Sequence, residues 1–231
     1  MSHNWESCYL LHSRSFGNTS IIAEMFTKSS GKISVIAKGA KNPKSKFFGH
    51  LLPFVALKII LTGKSEMKTL TQIDSNFLSQ SNKGSHDLYT YLYVNELMIR
   101  LLPKGLPNLE LFDLYEDFVS IARSGSISEI ALRAFEFDLL ETLGYGINFD
   151  TDVSGNLSFK DSIIYSFIPE KGFQPSSNSE GFSADEIKAI KNRTLEGIDR
   201  SKLKILSQAA INTCLDGREL SSREIFKKVK V

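Results

Sequence analysis

The sequence predicts an α+β protein in which a five-stranded β-barrel precedes a helical part that carries a small inserted β-hairpin lobe. Two observations carry this. Up to about Ile73, short apolar runs alternate with turn residues and no helical period develops. After about Asn82, apolar residues recur every three to four positions. A third observation, the distribution of charge, points to a partner. Residues 1–80 hold ten Lys or Arg against four acidic residues, a net of +6, residues 81–145 hold five against ten, and the remainder thirteen against twelve. A polyanion is therefore drawn to the N-terminal third, which the overall charge of +2 conceals.

The strands are expected at Ser7–His12, Ile21–Thr27, Lys32–Ala37, Phe54–Thr62 and Glu66–Ile73, with Gly17-Asn18, Ser30-Gly31 and Gly63-Lys64 as turns. Five short strands at this spacing suit a closed barrel of the OB type, because closure removes the edges a small open sheet would expose. The first domain is placed at 1–80 and a helical domain at 81–231. Its first helix runs from about Leu88 to Pro103 and its second over Leu109–Ala122. A third is framed by the capping-box spacing of Ser126 and Glu129 and by Gly144 as a left-handed C-terminal cap. That third helix carries two apolar faces, Leu132, Phe135, Leu139 and Leu143 on one and Ile130, Ala134 and Phe137 on the other. From about 146 to 180 strand-like pieces return, Leu157–Phe159 and Ile163–Ile168, followed by a polar loop over Gln174–Ser183. Helical pattern resumes over Ala184–Asn192 and Ser201–Leu215, and Ser221 with Glu224 makes another capping-box spacing.

Several function classes are excluded by what the sequence lacks. With 42% hydrophobic residues the chain has material for a core without staples, and its two cysteines, Cys8 and Cys214, make neither a disulfide framework nor a zinc ligand set. No run approaches the roughly 18–20 apolar residues of a membrane helix, and the opening MSHNWESCYL lacks a basic stretch ahead of an apolar one, so a cytoplasmic protein without membrane association is expected. Gly63-Lys64-Ser65 resembles the end of a phosphate-binding loop, but Lys58 stands where that loop needs glycine; the three residues read as a hairpin turn. His3, His12, His50 and His86 are scattered without ligand spacing, and no nucleophile elbow or zinc-helix motif appears. No catalytic residue, metal or cofactor is expected.

Two features point to binding. KGAKNPKSKFFG, Lys38–Gly49, carries Lys38, Lys41, Lys44 and Lys46 and no acid; Gly39, Asn42 and Pro43 disfavour regular structure, so a mobile connection able to follow a phosphate backbone is expected. Phe47 and Phe48 beside it either stack on bases or pack into the core. Arg133 lies between the two apolar faces of the third helix. It either clamps a partner's carboxylate or pairs with Glu129 or Glu136 one turn away.

Six blocks together resemble the RecO family: LLHSRSFGNTSIIAEMFTKSSGKISVIAKGAK (10–41), LLPFVALKI (51–59), MKTLTQID (67–74), YLYVNELMIRLLP (91–103), ALRAFEFDLLETLGYGINF (131–149) and LSSREIF (220–226). The resemblance implies an N-terminal OB-fold DNA-binding domain, a helical domain and a small lobe often built around zinc. It implies binding of single- and double-stranded DNA, strand annealing, and help in loading recombinase onto strands coated by single-strand-binding protein, together with RecR, in the nucleoid. Arg14, Lys38, Lys41, Lys44, Lys46 and Lys68 are the DNA-contact candidates. Arg133 matches the arginine of the family's A-L-R block, which puts Arg133, Leu132 and Phe135 forward as contacts for the C-terminal tail of single-strand-binding protein. Where many members carry four zinc-ligating cysteines after the Gly-Tyr-Gly motif, this chain has Thr151, Asp152 and Val153, so the lobe is expected to lack zinc.

Overall fold

The computed structural model describes residues 4–75, 85–125, 127–177 and 180–229, with the side chains of 85–87 and 226–229 excepted. The chain forms two compact units, one of residues 1–126 and 220–231 and one of residues 127–219. The sequence boundary at 80 falls outside the described residues.

In the first unit β1 (Glu6–Phe16), β2 (Ser20–Thr27), β3 (Gly31–Ala37), β4 (Leu57–Thr62) and β5 (Lys68–Ser75) close into a barrel of order β1-β2-β3-β5-β4. Its one parallel pair, β3 with β5, gives the OB-type arrangement. Strand alternation sends Cys8, Leu10, Ala23, Met25, Ile33, Val35, Leu57, Ile59 and Leu70 inward as the barrel core. β1 is longer than expected because a bulge at Leu11, between the pairs Leu10↔Met25 and His12↔Glu24, lets the ladder continue to Phe16. β4 starts later than expected. Phe54 adopts φ 60, off the strand path, and stacks its ring on Tyr91 at 4.1 Å.

Three helices complete this unit: α1 (Ser85–Leu101), α2 (Leu109–Ser124, capped by Asn108) and, from the far end of the chain, α6 (Ser221–Val229). The outward faces of β1 and β2 carry Tyr9 and Phe26, whose rings meet Phe112 and Tyr115 of α2 at 5.2–6.0 Å. At the bulge buried Asn95 of α1 adds side-chain donors: its Nδ2 reaches Leu11 O at 2.9 Å and Leu10 O at 3.4 Å. Its Oδ1 accepts from Tyr115 Oη at 2.7 Å. Lys32 of β3 donates to the Ile99 carbonyl in the last turn of α1, where helix carbonyls lack internal partners. Gly31 (φ 67) has the Leu106 carbonyl where a Cβ would stand, 2.1 Å away, so only glycine admits the α1–α2 connection at this point.

The expected capping box of Ser221 and Glu224 is replaced by a longer-range cap. Ser221 is the first helical residue, and the amides of Ser221 and Ser222 donate to Glu96 of α1 at 3.0 and 2.8 Å. Burial alone would raise the Glu96 pKa, but the donors from Ser222 and Ser221, with Arg100, outweigh it and hold the carboxyl below its ordinary value.

In the second unit α3 (Glu129–Thr142) is capped by Ser128, whose hydroxyl accepts from Ala131 N at 3.0 Å. The expected cap, Ser126, lies outside the described residues. The lobe's hairpin pairs β6 (Ile164–Ile168) with β7 (Gly172–Ser176). Thus the expected pairing partner, Leu157–Phe159, is not a strand, and part of the expected polar loop is one. The reason lies in the turn: Glu170 (φ 67) and Gly172 (φ 100) reverse the chain directly after β6. Fully buried Phe173 is ringed by Phe149, Phe159, Phe167 and Phe182 at 5.4–5.8 Å. α4 (Ala184–Lys191) opens on a capping box of Ser183 and Glu186, and α5 (Arg200–Cys214) on Asp199.

Two outcomes follow. Asn95→Ala removes the side-chain donor at the Leu11 carbonyl and the acceptor of the Tyr115 hydroxyl, and urea titration should show a loss of about 2–4 kcal/mol. Glu96, with its folded pKa depressed, contributes stability that is complete above its unfolded pKa, about 4.3, and is lost as pH falls through the folded value. The stability gap between the protein and Glu96→Gln, followed by melting temperature, should therefore narrow on acidification over that window.

Candidate nucleic-acid interface

In OB-type barrels the outer face of the second and third strands, with the loops after the first and fourth strands, holds oligonucleotides. Here helices cover part of that face. Phe26 is buried against α2, and Lys32 is 6% exposed with its ammonium on α1; burial pushes its pKa down. What remains open is the rim. Arg14 is exposed on β1 opposite Ile22, next to the β1–β2 turn.

The segment Lys38–Gly49, expected as a mobile connection, is laid down as successive turns. Asn42 N donates to Gly39 O (3.0 Å), Ser45 N to Asn42 O (2.8 Å) and Phe48 N to Ser45 O (3.1 Å). Phe47 anchors it in the barrel core, and His50 hydrogen-bonds Ser75 at the end of β5 at 2.7 Å. At its start it is stitched to the β1–β2 turn by Lys41 N donating to Thr19 O at 2.9 Å, and Lys41 Nζ lies 3.5 Å from Gly17 O.

Lys38, Lys44 and Lys46 are exposed on this segment and Lys41 is half-buried. Lys68, first in β5, is also half-buried and donates to Gly63 O at 3.2 Å across the β4–β5 turn. The barrel thus carries the six DNA-contact candidates on β1, the 38–49 segment and the start of β5. A signal passed over in the charge count is sharper than the count itself: no acidic residue stands between Glu24 and Glu66. The structure also separates the two phenylalanines. Phe47 is 7% exposed and Phe48 50%, and Phe16, which sequence reasoning did not single out, is 48% exposed at the end of β1.

The second candidate cluster lies in the other unit. Arg133 is buried, and its Nη1 donates to Glu136 Oε2 at 2.6 Å and to Ser207 Oγ of α5 at 2.9 Å. The Glu136 side chain is wholly buried. Of the two alternatives left by the sequence, the i, i+3 pair with Glu136 is the one formed. Leu132 is half-buried and Phe135 buried, so the three residues support α3 from beneath its surface.

The lobe does not fit a zinc ion. Asp152, the one ionisable residue at the position where ligands would begin, has its carboxylate used by the side chain of Asn156 and the amides of Asn156 and Ser154, which hold its pKa down. Among the described residues no group of three or more His, Cys, Asp or Glu is placed to hold a metal, and no helix is long and apolar enough to cross a membrane.

A closed OB-type barrel with a cationic rim is an architecture suited to nucleic acid, and the family models cover both it and the helices that follow. Residues 1–76 match the model described as Recombination protein O N terminal and residues 85–215 the model described as Recombination protein O C terminal. The chain is similar to the DNA repair protein RecO of Hamiltonella defensa, with 35% identity covering 99% of both chains. It is similar to that of Salmonella enteritidis at 34%, covering 97% of this chain and 94% of the relative. The chain belongs to the RecO family of DNA repair proteins.

Removing the Arg133 guanidinium leaves the Glu136 carboxylate buried without it. Arg133→Ala should lose about 3–5 kcal/mol in urea unfolding, and adding Glu136→Gln should recover part of that. Equal losses in the single and double variants would show that the pair carries no coupling.

Proposed function

We propose that this chain is a non-enzymatic recombination mediator that anneals complementary strands. In this reading it also helps to load recombinase onto single-stranded DNA coated by single-strand-binding protein, acting with RecR at the nucleoid in the cytoplasm. The observation that carries the reading is the acid-free run between Glu24 and Glu66, folded so that Lys38, Lys44 and Lys46 stand exposed on an anchored segment of the barrel.

The mechanism is physical. Lysines displace condensed counterions from phosphates, which makes binding steeply salt-dependent. Two strands held on one protein repel each other less and meet at raised local concentration, and base pairing then supplies the driving free energy. No bond is made or broken and no nucleotide is consumed. Lys32 takes no part, because its ammonium is used inside the protein. Lys41 and Lys68 contribute charge while bracing the turns they touch. The acidic, Phe-ended tail of single-strand-binding protein is assigned to the helical unit. There Arg133 acts as a positioning residue that fixes α3 against α5, with Leu132 nearest the surface.

The triple variant Lys41→Glu, Lys44→Glu, Lys46→Glu should stay folded by circular dichroism, bind oligonucleotides more weakly and anneal more slowly. The slope of log affinity against log salt should fall by about 2 for a single strand, near 0.7 for each phosphate that is no longer neutralised. The same comparison on strands coated by single-strand-binding protein reads the mediator step. Unchanged binding and annealing in the triple variant would remove the 38–49 segment from the reading.

A further inference from the structure

We propose that Phe16 and Phe48 are the residues by which this barrel recognises unpaired bases, so that its preference for single strands over duplex is set by stacking and not by charge. The inference rests on the nucleic-acid reading above and adds to it the feature of DNA that is read.

Among the described phenylalanines these two alone are exposed, 48% and 50%, while the others are buried or half-buried. Isolated exposed apolar side chains are ordinary on protein surfaces. These two are distinguished by where they stand. Phe16 ends β1 and directly precedes Gly17, whose carbonyl faces the Lys41 ammonium. Phe48 follows Lys44 and Lys46 in a stretch without acids. Each phenylalanine thus stands on a segment that also carries cations, which favour a polyanion there.

The backbone that carries each ring is also held. Phe47 is fixed in the barrel core, and the turns closed by Phe48 N on Ser45 O (3.1 Å) and His50 N on Phe47 O (3.2 Å) set the neighbouring Phe48 outward. Phe16 pairs in register with Ser20 at the mouth of the β1–β2 turn. The two segments are stitched by Lys41 N on Thr19 O (2.9 Å) and Gly39 N on Ser20 Oγ (3.4 Å). Little ordering is left for the ligand to impose.

The discrimination follows from what each form of DNA presents. Duplex hides its base faces in its own stack and offers phosphates, which lysines bind whatever the strand number. A single strand offers phosphates and free base faces, and a phenylalanine ring accepts any base. Pairing then consumes the base faces, so the annealed product keeps only the ionic contacts and is released more readily than either reactant.

The test uses the full chain, with a fluorescently labelled oligothymidylate and a labelled blunt duplex of equal length titrated across a salt series. Phe16→Ala with Phe48→Ala should weaken the single strand about ten- to hundredfold and leave the duplex within about twofold, with an unchanged salt slope. Phe16→Trp with Phe48→Trp should keep the preference, and its emission beyond that of Trp5 should be quenched by the single strand and not by the duplex. Equal weakening of both ligands, no weakening of either, or no selective quenching overturns the proposal. If the unmodified protein bound neither ligand in dilute buffer, the nucleic-acid reading itself would fall; if it bound both through its lysines but ignored the phenylalanine changes, only this inference would.

Discussion

One buried amide, that of Asn95, links three elements of the first unit. β1 carries a bulge at Leu11 on its way to Phe16, and a bulge locally disrupts the ladder. Asn95 donates to the carbonyls of Leu10 and Leu11 and accepts from Tyr115, so β1, α1 and α2 share one hydrogen-bond network. In such surroundings a complete network orders its members strongly and an incomplete one is worse than none. The aromatic contacts of Tyr9 and Phe26 with α2 are tolerant of small slides. The amide network is directional and selects one register of helices on strands.

That seating decides where the protein's positive charge is available. Helices laid over the lower part of the barrel remove Lys32 and Phe26 from solvent, and they turn an oligonucleotide-type face into a packing face. The rim beyond the helices keeps its cations because its connecting segment is pinned by Phe47 and by the stitch to the β1–β2 turn. The ordered loop and the displaced face are two results of the same arrangement.

Much of this was legible in the sequence. Apolar alternation located all five strands, and cap and periodicity signals located α3, α4 and α5 to within a few residues. What the sequence concealed depends on distant partners. The hydroxyl that caps α3 among the described residues is that of Ser128, which only the placed helix brings to the Ala131 amide. Ser221 and Glu224 have capping-box spacing, yet Glu96, 125 residues away in the chain, occupies the helix end. The paired phenylalanines could not be told apart locally, although strand-like alternation implies that neighbours point oppositely. Arg133 read equally as a clamp or a pair until Ser207 of α5 closed around it. The six DNA-contact candidates were put forward on charge, which is legible without knowledge of packing; the exposure of Phe16 is a product of packing and was not.

The chain leaves the first unit near residue 126 and comes back to it at 220. During synthesis the barrel and its first two helices emerge well before α6 exists, and the whole of 127–219 must be translated before Glu96 can receive the helix end it caps. The ribosome therefore completes the two units in nested order: the enclosed unit can finish folding first, and the enclosing one only afterwards.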